Sequence, residues 1–154
     1  MGTRATVDVR PDVTIKTYKA PELAESEADW YKIVPWAAPK LIDFYGSTLV
    51  IETCDRATDH LDWRPVAALH DLLTMLHDEA IHHRDLHLKN VVRARDGRPL
   101  LIDWETAIIH PADLSYDLVG PEASGVPIPM IHRRFIPAWW GSRERMSIKN
   151  QWEC

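Results

Sequence analysis

The most constraining feature of the sequence is a polar segment, residues 81–90, that lies between two strongly patterned apolar stretches. Before it, the four leucines of residues 69–76 recur at the spacing i, i+3, i+4, i+7, which predicts an amphipathic helix. After it, two short apolar runs flank Asp96-Gly97, a strong signal for a β-hairpin. Because a hairpin returns the chain to its starting point, Asp103 after the second run is expected to lie close to Asn90 before the first.

The first fifty residues predict a small sheet and one helix. Residues 5–10 and 12–18 have the pattern of two strands, the second rich in β-branched side chains. A helix is expected from Pro21 to about Val34, because a proline is well tolerated in the first turn and another proline follows the last. Residues 41–45 and 48–52 then predict a hairpin around Gly46-Ser47.

One acid in the predicted helix falls on its apolar side. Glu27 lies four residues from both Leu23 and Tyr31, which belong to the apolar stripe. Burying a carboxylate without a partner is costly, so Glu27 requires a cation or donors nearby.

Asp85, Asn90 and Asp103 each stand at the boundary of a predicted element. Two carboxylates and an amide close together concentrate oxygen ligands in one place. Mg²⁺ prefers such ligands and takes the remainder from phosphate and water. The sequence therefore predicts a magnesium and phosphate site here.

Composition excludes several other classes of protein. The 154-residue chain has a formal net charge of -5, so it is not a polycation drawn to nucleic acid. It has no apolar run long enough to span a bilayer and no apolar region of a secretion signal, so we expect a cytoplasmic protein without a membrane partner. Residues 131–154 are basic and form either a solvated face or a surface for an anionic partner.

The segment His83-Arg84-Asp85-Leu86, with Asn90 five residues after Asp85, matches the pattern H-R-D-L-x-x-x-N and resembles the protein-kinase-like superfamily. Ile102-Asp103-Trp104-Glu105 stands where that family has its metal-binding D-F-G. Together with His87, the D-W-E form is similar to aminoglycoside and choline kinases, whereas Arg84 is more typical of protein kinases. The short chain is similar in size to phage-encoded kinase-like proteins.

This resemblance implies a catalytic role for the polar loop, with ATP and Mg²⁺ as cofactors. Asp85 would be the catalytic base, and Asn90 and Asp103 the magnesium ligands. His87 or Lys89 would be a donor to the γ-phosphate, and of the two His87 matches the family's position. The acceptor would be a hydroxyl group of a protein or a small molecule. Asp117 would brace the catalytic loop, or alternatively would cap a helix before Leu118.

The resemblance also implies a nucleotide site built from the first half of the chain. Lys16, paired with Glu27, would contact the α- and β-phosphates. Thr14 would line the adenine site, and the backbone of Glu52 and Cys54 would bond to adenine.

The implied fold is α+β, a truncated bilobal protein-kinase-like fold. Residues 1–53 would form a reduced N-lobe, with a small antiparallel sheet and one helix but no glycine-rich loop. Residues 54–154 would form a short, mostly helical C-lobe that carries the catalytic loop and the metal-binding segment. A chain without its own phosphate lid could also form a homodimer.

Two other functions remain open. Because the glycine-rich loop is missing, the chain could be a pseudokinase that binds a nucleotide or a protein without turnover. More remotely, His83-x-Asp85 with a distant His132 imitates the two-histidine, one-carboxylate triad of non-haem iron oxygenases, with Arg143 to hold an acidic co-substrate.

Overall fold

The computed structural model describes residues 5–57 and 62–130. The expectations for the basic segment 131–154, including His132 and Arg143, lie outside the described residues. So does the start of the predicted N-lobe, residues 1–4.

The first part of the chain is a four-stranded antiparallel sheet with the strand order β1-β2-β4-β3. Its strands are β1 (Ala5–Val9), β2 (Val13–Tyr18), β3 (Leu41–Tyr45) and β4 (Thr48–Glu52). Lys16 of β2 lies opposite Val7 of β1 and Leu49 of β4. The turn between β3 and β4 contains Gly46, whose φ of 57° is readily adopted by glycine. The predicted small antiparallel sheet is therefore present.

Helix α1 (Pro21–Ile33) crosses this sheet. Its proline stands in the first turn, where the missing N–H removes no helical hydrogen bond. The buried face carries Ala24, Ala28 and Tyr31, and Glu27 is buried among them. The acid that the sequence placed on the apolar stripe is thus inside the protein.

Helix α2 (Val66–Asp78) follows Pro65, and the four leucines of its stripe are buried in the hydrophobic core. A side chain such as leucine stabilises a fold by about 1.5–3 kcal/mol when fully buried, so this stripe fixes which face of α2 points inward. Because α2 is packed in this way, the start of the polar segment 81–90 is held in a fixed position next to the core.

A hairpin places Asn90 next to the residues around Asp103. Strands β7 (Val91–Arg93) and β8 (Pro99–Leu101) pair around the turn at Gly97, and β5 (Asp55–Arg56) adds a third strand. The N–H of Ile102 donates to the carbonyl of Asn90 at 3.0 Å. The predicted return of the chain therefore occurs.

Between residues 107 and 130 the sequence predicts mostly irregular structure, yet two elements occur there, while the short helices expected after Ala138 lie outside the described residues. Strand β6 (Ile81–His82) pairs with β9 (Ile108–Ile109), and α3 (Tyr116–Ser124) follows. Helix α3 is broken at Gly120, whose φ of 92° is not helical, and a second helical piece continues from Pro121. Two-residue strands and a broken helix are too short to give a periodic sequence signal.

In the described residues beyond residue 53, helices α2 and α3 share the chain with five short strands. The α+β description holds, whereas the bilobal arrangement with a mostly helical second lobe stays a prediction. The division at residues 53 and 54 stays a prediction. The longest helices in the described ranges have 13 residues, and none is long and apolar enough to cross a membrane.

Candidate functional site

Lys16 joins three separate elements at one point. Its Nζ lies 2.8 Å from Oε1 of Glu27 on α1 and 2.6 Å from Oδ1 of Asp103, which follows β8. The side chains of Lys16 and Glu27 are 13% and 1% exposed, whereas that of Asp103 is 40% exposed. The pair expected between Lys16 and Glu27 is present, and Asp103 belongs to the same cluster.

The opposite charges in this cluster stabilise the ionised forms of Lys16 and Asp103. Burial alone would lower the pKa of Lys16, but the carboxylates of Glu27 and Asp103 outweigh it and raise the pKa above its ordinary value. Burial alone would raise the pKa of Asp103, yet the ammonium group of Lys16 holds it below its usual range. Lys16 and Asp103 are therefore both charged at neutral pH.

Glu27 also fixes the backbone beside Asp103. Its Oε1 accepts a hydrogen bond from the hydroxyl of Tyr18, and its Oε2 accepts the N–H of Trp104 at 3.0 Å. Burial and the charge of Glu27 raise the pKa of Tyr18, so the phenol stays protonated as a donor. The single carboxylate thus orients Lys16 and the residue that follows Asp103.

Trp104 anchors the turn that carries Asp103. The indole is fully buried, donates from Nε1 to the carbonyl of Leu101 at 2.8 Å and stacks on Trp30 of α1 with ring centroids 6.0 Å apart. Asp103 has a φ of 61°, a left-handed conformation that aspartate tolerates better than most residues. The packed indole holds that conformation and turns the carboxylate toward Lys16.

His83 supports the backbone of the loop at residues 81–90 with both ring nitrogens. Nε2 lies 2.8 Å from the carbonyl of Ile102, and Nδ1 accepts the N–H of Asp85 at 3.2 Å. Since a carbonyl can only accept, Nε2 carries the proton. With both nitrogens engaged, His83 is not available as a metal ligand, which counts against the iron-oxygenase alternative.

Asp117 braces the same loop from α3. Its two carboxylate oxygens accept the N–H groups of His83 at 2.8 Å and Arg84 at 2.9 Å, and the residue is buried. The cap of α3 is instead Ser115, whose Oγ accepts the N–H of Leu118 at 3.3 Å. Of the two interpretations of Asp117, the structure supports the brace.

Arg84 makes contacts that the sequence did not reveal. Its Nε donates to the carbonyl of Thr106 at 2.7 Å and one terminal nitrogen donates to the carbonyl of Pro127 at 2.8 Å. Partial burial lowers the pKa of Arg84 despite the nearby Asp117. The guanidinium therefore ties the loop to two later segments. No sequence signal marks backbone carbonyls as partners.

Asp85, His87 and Asn90 form a buried cluster within the loop. Nδ2 of Asn90 donates to the carbonyl of Asp85 at 2.8 Å and to its Oδ2 at 3.2 Å, and it lies 3.1 Å from Nε2 of His87. That His87 nitrogen is 3.6 Å from Oδ1 of Asp85. Since the Asn90 nitrogen is directed at Asp85, its carboxamide oxygen is the atom left to meet a cation.

Seven of the predicted site residues line one cavity of about 340 Å³, at the lower end of the volumes usual for small-molecule sites. They are Thr14, Lys16, Glu52, Cys54, His87, Asn90 and Asp103. The other two predicted residues, Glu27 and Asp85, contact the lining through Lys16 and Asn90. The structure therefore brings the two distant halves of the predicted site together.

The wall formed by residues 52–54 is held by hydroxyl and backbone contacts. Oγ1 of Thr53 donates to the carbonyl of Arg10 at 2.7 Å and lies 2.9 Å from Oγ1 of Thr14. The N–H of Glu52 donates to the carbonyl of Lys40 at 2.9 Å, so that N–H is not available to a ligand. Burial, followed by the charges of nearby acids, raises the pKa of Cys54 to about 11, and its thiol stays protonated at neutral pH.

Sequence reasoning missed other lining residues. Val7 and Val9 of β1, Tyr31 of α1 and Arg56 of β5 also face this cavity, as does Lys89, the alternative to His87. The alternating pattern of β1 was visible, but nothing in it indicated which face would meet the loop at residues 81–90.

Asn90 and Asp103 supply one amide oxygen and one carboxylate, a donor set suited to Mg²⁺, which is usually held by one or two carboxylates together with phosphate and water. Within residues 5–57 and 62–130 there is no group of three or more His, Cys, Asp or Glu side chains placed to hold a metal ion. Two protein donors would leave the remaining positions around such an ion to phosphate and water.

No protein-family model matches the sequence, and no curated protein matches it either. Among solved structures, the chain is similar to the bifunctional kinase-methyltransferase WbdD, with 16% identity and a TM-score of 0.54 over 70% of this chain. A structure of WbdD with a kinase inhibitor gives 15% identity and a TM-score of 0.52 over 71% of this chain. The chain spans about a third of WbdD (31% and 32%), so the likeness concerns the fold alone.

Proposed function

We propose that this chain is a phosphotransferase that uses ATP and Mg²⁺ and moves the γ-phosphate to a hydroxyl acceptor. The observation that carries the proposal is the position of Lys16, which contacts both Glu27 and Asp103 at the wall of a cavity that Asn90 also lines. The ammonium group of Lys16 offers a positive charge to a phosphate. The carboxylate of Asp103 and the amide oxygen of Asn90 offer oxygen ligands to the metal ion that accompanies the phosphate. The similarity to WbdD, a bifunctional kinase-methyltransferase, supports the proposal through the fold only.

At the phosphate end of the cavity, Lys16 contacts the α- and β-phosphates, and Asn90 and Asp103 hold Mg²⁺. When bound, the ion neutralises charge on the phosphate oxygens. Glu27 keeps Lys16 in place. Because Lys16 already balances Asp103, this end of the cavity has both signs of charge ready before a nucleotide arrives.

Asp85 accepts the proton of the acceptor hydroxyl or orients that hydroxyl for attack. Its backbone N–H is held by His83 and its carboxylate by Asn90, so the group is positioned before substrate binds. His87, 3.6 Å from the Asp85 carboxylate, is placed to donate to the γ-phosphate. Catalysis of phosphoryl transfer rests mainly on this kind of positioning.

At the other end of the cavity, Thr14, Glu52 and Cys54 line the space for adenine, with backbone groups of Glu52 and Cys54 as its partners. The N–H of Glu52 is already bonded, so the partners are its carbonyl and the backbone of Cys54. We further propose a cytoplasmic location and a protein or small-molecule acceptor, with a homodimer as the assembly to test.

The test is transfer of labelled phosphate from ATP in the presence of Mg²⁺, alone and with cell lysate. The wild type is compared with Asp85→Asn and Asp103→Ala, and the matched control is Asp96→Asn in the exposed hairpin turn. We expect label transfer or ATP hydrolysis in the wild type and the control, and its loss in the two site variants. Equal signals in all four proteins, or no signal in the wild type, would refute the proposal that the chain is a phosphotransferase.

A pseudokinase is the second candidate, and one observation favours it. In the described residues before β2, the turn that follows β1 is Arg10-Pro11-Asp12, and no glycine-rich segment covers the phosphate end. Wild-type protein that binds ATP with Mg²⁺ but neither transfers nor hydrolyses phosphate would support this candidate over the enzyme.

A further inference from the structure

A second cavity, of about 1270 Å³, adjoins the first along residues 52–54, which line both cavities. In the described part of the chain, the other residues that line both are Tyr31 of α1 and Pro39. Residues shared by two cavities mark the place where the cavities meet. Tyr31 therefore lies beside residues 52–54, at the end of the first cavity that is proposed for adenine.

The hydroxyl of Tyr31 forms no hydrogen bond within the described residues, although Tyr31 is only 4% exposed. A hydroxyl that is buried without a hydrogen bond is unfavourable, and such groups in native proteins are usually satisfied by water or by a ligand. The described residues do not enclose this oxygen completely, so it is reached from the cavities that Tyr31 lines. The hydroxyl is therefore available to a ligand.

The phenol of Tyr31 keeps its proton. Burial, followed by the negative charge of Glu27, raises the pKa of Tyr31 above its ordinary value. A protonated phenol has one proton to donate and lone pairs with which to accept. The Tyr31 hydroxyl can therefore bond to a ligand group of either polarity.

The other side-chain hydroxyls that line the first cavity already have partners. In the described residues they belong to Thr14 and Thr53, whose Oγ1 atoms lie 2.9 Å apart, and Thr53 also donates to a backbone carbonyl at 2.7 Å. The N–H of Glu52 donates to the carbonyl of Lys40, so Glu52 offers a ligand only oxygen acceptors. Tyr31 thus supplies the hydroxyl that remains for a nucleobase at this wall.

Adenine and guanine differ at position 6 of the purine, where adenine carries an amino donor and guanine carries a carbonyl acceptor. The carbonyl of Glu52 suits the amino group of adenine but repels the carbonyl of guanine. A hydroxyl bonds to either group, because it donates to a carbonyl and accepts from an amine.

We propose that the Tyr31 hydroxyl bonds to the group at position 6 of the purine, and that the cavity therefore binds GTP as well as ATP. This inference rests on the proposed function, because it places a nucleotide in the cavity with its base at residues 52–54. It adds a side chain that contacts the base to the backbone groups already proposed there.

The experiment measures affinities in Mg²⁺ for ATP, GTP and purine riboside triphosphate, in which hydrogen replaces the group at position 6, by titration calorimetry. The proteins are the wild type, Tyr31→Phe and the control Tyr45→Phe, which removes an exposed phenolic hydroxyl on β3, outside the cavity. We expect the wild type to bind both ATP and GTP. Tyr31→Phe should weaken both about three- to tenfold, the scale of one lost hydrogen bond, and should leave purine riboside triphosphate unchanged within about twofold. The control should match the wild type for all three nucleotides.

The outcomes separate the inference from the proposed function. If Tyr31→Phe weakens all three nucleotides alike, or weakens none, the inference is wrong while the proposed function stands. Wild-type protein that binds ATP but not GTP would overturn the inference in the same way. If the wild type binds no nucleotide, the proposed function fails and the inference with it. Thermal unfolding checks the fold, and the melting temperature of Tyr31→Phe should not fall below that of the wild type, because the ring is kept and the lost hydroxyl leaves no partner unpaired.

Discussion

The buried pair of Lys16 and Glu27 gives a prediction whose size follows from the structure. Removing one partner of a buried ion pair costs about 3–5 kcal/mol, because the other charge is left without compensation. In Lys16→Met, Glu27 keeps the donors from Tyr18 and Trp104. We therefore expect the lower end of the range, about 3 kcal/mol.

Glu27→Gln should be milder, since Lys16 retains Asp103 at 2.6 Å. Loss of one hydrogen bond to a charged group predicts a cost of about 1.5–3 kcal/mol. In the double variant, Lys16→Met with Glu27→Gln, the second substitution no longer breaks the ion pair, because the first has already removed it. The double variant should therefore lose about 1–2 kcal/mol less free energy of unfolding than the sum of the two single variants, within the range for residues in contact.

The assay is urea unfolding followed by tryptophan fluorescence, with the slope m compared between variants to check that two-state unfolding persists. The matched control is the pair Arg98 and Asp96, which has a similar separation of 2.7 Å but is exposed. We expect no measurable coupling there, because solvent screens exposed pairs. Additive effects at Lys16 and Glu27, or equal coupling in both pairs, would refute the reasoning that burial makes this pair matter.

Three further predictions follow. Asp117→Asn places an amide donor against one of two backbone N–H groups and should lower the free energy of unfolding in urea by about 1–3 kcal/mol. Ser115→Ala removes the cap of α3 and should lower it by about 1 kcal/mol. A larger loss for Ser115→Ala than for Asp117→Asn would contradict the role of Asp117 in holding the loop. Alkylation of Cys54, measured by mass spectrometry in a Cys154→Ser background, should accelerate as pH approaches 11 and be slowed by ATP with Mg²⁺; rapid labelling at pH 7 would contradict the raised pKa of its thiol. The pKa of Asp103 is lowered in the folded protein, so its contribution to stability is present above about pH 4 and is lost as pH falls through the folded value. The wild type should therefore lose more stability than Asp103→Asn between pH 6 and 3, roughly spanning that window, and parallel curves would argue against the effect.

The central part of the site could be predicted because its signals are local. Asp96-Gly97 fixes a hairpin, and a hairpin brings Asn90 near Asp103 whatever the rest of the chain does. An acid on an apolar helix face requires a partner, and the resemblance to kinases supplied Lys16 as the partner of Glu27. Local turn chemistry thus sufficed for the first contact, whereas the second also needed the resemblance.

The rest depends on contacts between distant backbone groups, which leave no pattern in a single sequence. Glu27 accepts the N–H of Trp104, and Arg84 donates to the carbonyls of Thr106 and Pro127. Every residue type except proline offers the same N–H, and every residue offers the same carbonyl, so neither partner was marked by its side chain. The exposure of Lys89 and the cavity face of β1 likewise follow only from how the elements pack.

The most direct test of the account is the affinity for ATP in Mg²⁺ and in EDTA, measured by titration calorimetry on the wild type and Asp103→Asn. The account predicts that Mg²⁺ strengthens ATP binding to the wild type and that this gain is lost in Asp103→Asn. In EDTA the variant should bind ATP at least as well as the wild type, since a carboxylate that repels phosphate is gone. Wild-type affinity that is absent, or that is the same with and without Mg²⁺, would contradict the claim that Asp103, Asn90 and Lys16 form a magnesium–nucleotide site.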